Sequence, residues 1–235
     1  CDAVAAGDTI HLAGPKNLFR LDESAARYVL LAGGIGITPI LAMADRLKAL
    51  GKPYVLHYAA RSRAHMALLA RVQRDHGDHL SLHVGEEGTR MRLDALLAGV
   101  ADGTQVYACG PERLMDALQA LAEGWPEGTL RVEHFSAEGS LLDPAREHAF
   151  EAVLKDSGTT VQVAADQTLL QALQAAGFDV PCDCGEGLCG TCEVGVLAGE
   201  VDHRDKVLSR AERAANKRMM SCSSRARGER ITLAL

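Results

Sequence analysis

Between Arg27 and Phe135 the apolar positions alternate between two patterns. Short, nearly unbroken apolar runs read as strands: Tyr28-Val29-Leu30-Leu31-Ala32, Tyr54-Val55-Leu56-His57-Tyr58, Leu80-Ser81-Leu82-His83-Val84, Gln105-Val106-Tyr107-Ala108 and Leu130 to Phe135. Separating them are segments of helical spacing: Ile40, Leu41, Met43, Ala44, Leu47 and Leu50 ahead of Gly51, then Met66 to Val72, Leu93 to Leu97 and Arg113 to Ala122. Strands that are apolar on both faces and joined by helices predict an α/β domain built on a doubly wound parallel sheet.

After Phe135 the periodicity breaks. Ala137-Glu138-Gly139-Ser140-Leu141-Leu142-Asp143-Pro144 mixes polar residues, glycine and proline, so a linker is expected over residues 136–148. A different pattern follows over 149–235. Phe150 to Leu154 and Thr160 to Val163 read as a hairpin around Asp156-Ser157-Gly158, and Leu169 to Ala176 as a helix ended by Gly177. Glu193 to Leu197 reads as a strand, Arg210 to Asn216 as a charged helix and Ile231-Thr232-Leu233 as a closing strand. At the other end, residues 7–15 alternate as one strand would. A single strand cannot bury a face, so it is expected to belong to a preceding domain, with residues 1–24 its remnant.

Composition narrows the class. The 235 residues suit one or two domains, and 47% hydrophobic content is enough for ordinary cores. A net charge of −6 gives no reason to expect nucleic acid as a partner. Seven cysteines without a secretory signal or an apolar spanning segment point to a reducing, cytoplasmic setting with no membrane partner, where thiols serve metals.

Three of those thiols, Cys184, Cys189 and Cys192, crowd one glycine-filled loop, and Cys222 follows 30 residues after Cys192. This C-x4-C-x2-C run with a distant fourth cysteine is the spacing of a plant-type [2Fe–2S] centre. Gly185, Gly187 and Gly190 would let main-chain N–H groups approach the cluster sulfurs. Structural zinc is the alternative, although zinc sites generally use two paired arms rather than three ligands and one. Cys182 arrives too early for this spacing and reads as a buried bystander, while His57 and His83 read as hydrogen-bonded core. Asp202-His203-Arg204-Asp205 reads as a charged surface turn in preference to part of a docking face for a partner.

Parallel sheets bind ligands at the carboxyl ends of their strands, and two loops there carry signal. Gly33-Gly34-Ile35-Gly36-Ile37-Thr38-Pro39 departs from G-x-G-x-x-G at Pro39 but retains the elements of an anion site: close backbone approach, Thr38 as a helix cap, Pro39 in the first turn. Cys109-Gly110-Pro111 follows the fourth strand.

These two loops in this order resemble the nicotinamide-nucleotide domain of the ferredoxin–NADP reductase superfamily. With a plant-type ferredoxin appended, the chain is similar to the phthalate dioxygenase reductase family, which also supplies the reductase tail of self-sufficient fused cytochromes P450. The resemblance implies a nucleotide-binding domain over 25–135 and a β-grasp [2Fe–2S] ferredoxin domain over 149–235. It also implies a preceding FMN-binding barrel, of which Gly14-Pro15-Lys16-Asn17-Leu18-Phe19 resembles the end. The barrel's flavin motif has no counterpart in these residues, so the chain is expected to be a fragment of low activity by itself.

Carried onto matching positions, Gly34, Gly36 and Thr38 would lie at the pyrophosphate and near the flavin phosphate, with Gly33 and Pro39 in the same cofactor-binding loop. Cys109 would stand beside the hydride-donating carbon, flanked by Gly110 and Pro111, and Phe135 would cover the flavin. Arg61, Ser62 and Arg63 would read the nucleotide 2′ position; no acid follows the second strand, which leans towards NADPH and leaves NADH open. The implied activity is electron transfer from NAD(P)H through FMN and the cluster to a Rieske-type or fused P450 oxygenase. A one-electron carrier reduced by a separate reductase is the alternative.

Overall fold

The computed structural model describes residues 5, 7–9, 17–98, 100, 103–135, 142–143 and 145–235. The strand expected over 7–15, the Gly14-Pro15-Lys16 match and most of the linker lie largely outside these residues. A five-stranded parallel sheet forms the first layer system: β1 (Arg27–Gly33), β2 (Tyr54–Ala60), β3 (Leu80–Val84), β4 (Thr104–Cys109) and β5 (Leu130–Glu133), in the order β3-β2-β1-β4-β5. That order reverses direction at β1 and β4, which is where a doubly wound sheet opens its ligand crevice.

Alternation along β1 sorts its side chains into two cores. Tyr28, Leu30 and Ala32 pack with Ile37, Ile40, Leu41 and Leu47 of α1 (Ile37–Ala49), while Val29 and Leu31 join Leu97, Met115 and Leu118 on the opposite face. The last three come from α3 (Leu93–Leu97) and α4 (Glu112–Leu121). A fully buried leucine such as Leu30 contributes about 2 kcal/mol through burial. Both faces of the central strand being covered explains why β1 shows no polar alternation in sequence.

The elements fall close to their sequence-based positions, with one displaced helix. α2 spans Leu69–His76 rather than Met66 to Val72, because Leu68 adopts a left-handed conformation that starts the helix later and Met66 is buried as coil. The last strand stops at Glu133, leaving Phe135 beyond it.

The second unit is a mixed sheet of β10 (Arg218–Met220), β8 (Glu193–Ala198), β12 (Arg230–Ala234), β6 (Phe150–Leu154) and β7 (Thr160–Val163), in that order. Helix α5 (Leu169–Ala175), opened by a Thr168–Gln171 capping box, packs its leucines against it. A two-residue ladder joins β9 (Val201–Asp202) to β11 (Arg225–Ala226), and α6 (Arg210–Ala215) lies between β9 and β10. This is a β-grasp sheet around one helix. No helix among the described residues is long and apolar enough to cross a membrane.

His57 and His83 meet across β2 and β3 at 3.1 Å. Burial first, then the neighbouring His83, holds His57 down to about 4. The unfolded chain therefore binds more protons than the folded one between about pH 4 and 6.5, and stability falls as pH drops through that window. Denaturant midpoints followed from pH 7 to pH 4.5 should fall less steeply in His57→Gln than in the native chain; equal slopes would assign the acid sensitivity to other groups.

Candidate functional site

At the carboxyl edge of the parallel sheet, the loops after β1 and β4 touch backbone to backbone. A Cβ placed on Gly36 would stand 2.2 Å from the Cys109 carbonyl oxygen, and one on Gly33 would meet Pro111 at 2.7 Å. Only hydrogen fits at either position. The two glycine loops expected from sequence are thereby brought together, and with His134 and Phe135 they line a cleft of about 240 Å³. Phe135 is half exposed at its rim. A larger depression of about 570 Å³ opens near Asp22, Gln105 and Arg131, at the amino ends of the strands and away from these loops.

Helix α1 enters this cleft without a capping side chain and with no acid in its first turn. Thr38 is not its cap: a 3-10 turn over Gly34–Gly36 runs directly into the helix, so Gly36 takes the N-cap position and the Thr38 hydroxyl donates to the Ile35 carbonyl at 3.0 Å. The free first-turn N–H groups suit an anion. Cys109 lies behind the cleft rather than on its wall, fully buried, and burial, reinforced by Glu133, pushes its thiol up to about 12. It is a neutral thiol at physiological pH.

The segment after β2 differs from its sequence reading. Two acids do reach it, from the turn after β3: Arg63 forms a two-pronged pair with Glu87 at 2.6 and 3.0 Å, and Arg61 lies 3.5 Å from Glu86. Ser62 hydrogen-bonds His65 at 2.8 Å. The absence of an acid in the local sequence therefore does not describe the folded site, because β3 is 20 residues further along the chain but adjacent to β2.

In the second unit, Cys184, Cys189, Cys192 and Cys222 converge in two pairs. Hydrogen bonding links Cys184 to Cys189 and Cys192 to Cys222. Among the described residues, no three His, Cys, Asp or Glu side chains surround one point as ligands of a single metal ion would. Two thiolates per iron, completed by bridging sulfide, is the ligand count of a binuclear cluster and not of structural zinc. Main-chain N–H groups already point at the sulfurs: Glu186 and Leu188 donate to Cys184 Sγ at 3.4 Å each, and Gly187 donates to Cys222 Sγ at 3.1 Å. The hydrogen bond from Cys222 lowers the Cys192 thiol to about 6. Burial opposes ionisation of Cys189, but hydrogen bonding, first that with Thr191, brings it down to about 7. The donor set fits a [2Fe–2S] cluster.

Residues that sequence reading passed over hold this loop. Asp205 is not part of a surface turn but 1% exposed; its carboxylate accepts the N–H groups of Val207 and Leu208 and the Ser224 hydroxyl, while the adjacent Lys206 N–H donates to Gly187 O at 2.9 Å. Arg225, also 1% exposed, donates to the carbonyls of Gln167, His148 and Ala164, lies 3.1 Å from Glu147 and stacks over the Phe150 ring. Cys182, expected to be buried, is exposed and outside the quartet.

A nucleotide-type parallel sheet followed by a β-grasp cysteine quartet defines a modular iron–sulfur reductase. Residues 152–227 match the 2Fe-2S iron-sulfur cluster binding domain, and residues 15–127 match the Dimethylamine monooxygenase subunit DmmA-like, N-terminal domain. The chain is 45% identical to the phenoxybenzoate dioxygenase subunit beta of Ectopseudomonas oleovorans, covering 97% of this chain and 71% of that protein. Its fold is similar to an intact type IV self-sufficient cytochrome P450 monooxygenase, with TM-score 0.79 and 60% identity over 94% of this chain and 29% of that one. It is also similar to phthalate dioxygenase reductase, with TM-score 0.61 and 34% identity over 94% and 69% of the respective chains. The chain belongs to the phthalate dioxygenase reductase family, the NAD(P)H-dependent reductases of oxygenase systems.

Two variants separate a cluster-holding position from a bystander. A Cβ on Gly187, whose φ is +75°, would meet Ser223 Oγ at 2.4 Å, so Gly187→Ala must displace the N–H that reaches Cys222. Iron and sulfide per chain should drop sharply in Gly187→Ala and stay at the native level in Cys182→Ser; the reverse pattern would put Cys182 in the ligand set. At the other site, Gly36→Ala should lose about 3 kcal/mol of stability by forcing the two loops apart, measured by denaturant unfolding. A loss under about 0.5 kcal/mol would mean that the loops part freely.

Proposed function

We propose that this chain receives a nicotinamide nucleotide at the β1/β4 cleft and passes electrons outward through a [2Fe–2S] cluster to an oxygenase component. The observation that supports this most directly is the pairing of an uncapped helix N-terminus beside two backbone-contacting loops with a four-thiol site preset by N–H donors. In this reading Gly33, Gly34 and Gly36 let the pyrophosphate approach the first turn of α1, and Thr38 and Pro39 shape that turn. Gly110 and Pro111 would seat the nicotinamide, Cys109 would present a neutral, water-excluded surface behind it, and Phe135 would cover a flavin. Arg61, Ser62 and Arg63 would face the nucleotide 2′ position, where the acids pairing with both arginines temper the lean towards NADPH.

When bound, flavin and cluster convert a two-electron hydride donor into successive one-electron deliveries. Cys184, Cys189, Cys192 and Cys222 would hold the cluster, at a potential near roughly −400 mV for plant-type ligation. The N–H groups of Glu186, Gly187 and Leu188 stabilise added negative charge there.

The proposed organisation is a flavin-barrel remnant over 1–24, a nucleotide domain over 25–135, a linker over 136–148 and a ferredoxin domain over 149–235, in a cytoplasmic protein. The flavin would come from the family's N-terminal barrel. Higher identity to the fused P450 than to the dioxygenase subunit favours a haem acceptor over a Rieske-type one.

Stopped-flow mixing of cluster-loaded protein with NADH or NADPH, with and without the FMN barrel joined to its N-terminus, tests the scheme. Cluster absorbance should bleach, and a reduced-cluster paramagnetic signal should appear, only with the barrel present. Reduction in neither form, together with full reduction by a separate reductase, would make the chain a one-electron carrier instead.

A further inference from the structure

The segment joining β9 to α6 touches both sites. Its root is fixed by the fully buried carboxylate of Asp205, which takes hydrogen bonds from Val207, Leu208 and Ser224. Next to it, Lys206 donates its main-chain N–H to Gly187 O at 2.9 Å, inside the cluster loop. Val207 lies 3.4 Å from where a Cβ on Gly190 would stand, on the same loop. Asp205 and the Gly187 contact therefore leave the backbone of Lys206 little freedom.

Its side chain points the other way along the path. Lys206 Nζ reaches Glu112 Oε1 at 3.4 Å, with both side chains about one-quarter to one-third exposed. Glu112 is the first residue of α4, directly after Cys109-Gly110-Pro111, and it lines the nucleotide cleft together with His134. His134 in turn feels the charges of Lys206, Glu112 and Asp116. A second pair between the two units, Arg210 with Glu123, is 76% and 67% exposed and has the weak character of a surface pair. Lys206 is thus held by its main chain to the cluster loop and by its ammonium to the nucleotide loop, while Glu112 also gains from its place at the helix N-terminus.

We propose that Lys206 is a positioning residue that sets the distance between the nucleotide cleft and the iron–sulfur loop, through its ion pair with Glu112. The proposal rests on the reductase reading above. It assigns Lys206 no part in binding nucleotide or ligating iron; its effect is on how fast an electron crosses to the cluster from a flavin seated beside Phe135, which lines the same cleft as Glu112.

The test uses the reductase carrying its flavin barrel and cluster, in native, Lys206→Arg, Lys206→Glu and Lys206→Glu/Glu112→Lys forms. Lys206→Glu sets a like charge opposite Glu112, and should slow flavin-to-cluster transfer about tenfold. NAD(P)H-driven flavin reduction, the visible spectrum and the cluster potential should stay native in Lys206→Glu. Lys206→Arg should keep most of the transfer rate, and the charge-swapped double variant should recover most of it. Raising salt should slow the native protein and leave Lys206→Glu little changed. Small-angle scattering should give Lys206→Glu a larger maximum dimension than the native protein. A native transfer rate with native dimensions in Lys206→Glu would overturn the positioning role. A shifted cluster potential in Lys206→Glu would overturn it as well, by making Lys206 a tuner of the cluster. Absence of transfer in the native protein would instead overturn the reductase reading.

Discussion

Two stretches of main chain in van der Waals contact set the geometry of the nucleotide half. Gly36, in the turn after β1, lies against Cys109, the last residue of the adjacent β4, and no side chain of any kind fits between them. That contact fixes where α1 begins, leaves its first N–H groups open, and places Gly110 and Pro111 opposite Gly33. The crevice exists because β1 and β4 are neighbours whose helices leave on opposite faces, a property of strand order rather than of any one residue. The glycines convert that topology into a site.

The order of strands and helices was legible because burial on both faces of a parallel sheet leaves a strong signal, seen in β3 and α3, which begin and end where their apolar runs do. The four ligand cysteines were legible for a different reason: no other chemistry explains that spacing as well. What escaped was long-range or hidden in ordinary residue types. Glu86 and Glu87 face Arg61 and Arg63 only because β3 lies beside β2. The short strands β9, β10 and β11 carry too few residues for a period to register. Asp205 stands in a run of charges that reads as solvated, and only the folded backbone turns its carboxylate inward. Thr38 was misplaced by one structural detail, a 3-10 turn that moves the helix start onto glycine.

The ferredoxin half rests on a shell of buried polar groups behind its thiols. Asp205 satisfies the strap that lies against the cluster loop, Ser221 donates to the Cys192 carbonyl, and Arg225 gathers three carbonyls and Glu147 beneath β6. Buried charge is costly unless its partners are present, so removing any one of these partners would destabilise the shell behind the thiols. It also ties the segment before β6 to the far end of the domain, since Glu147 meets both Arg204 and Arg225.

The separation of Cys222 from the other three ligands has a consequence in time. On the ribosome the first three thiols emerge together, and the fourth follows 30 residues later, about two to six seconds at ordinary elongation rates. The strap that lies against the cluster loop, residues 203–208, is made within that interval. Until Cys222 arrives, one iron position has half of its protein ligands, so a complete cluster cannot be enclosed during synthesis of the loop itself. By then all five strands of the nucleotide sheet, complete at Glu133, have been made. All four ligand thiols thus exist only in a chain whose input end has already been synthesised.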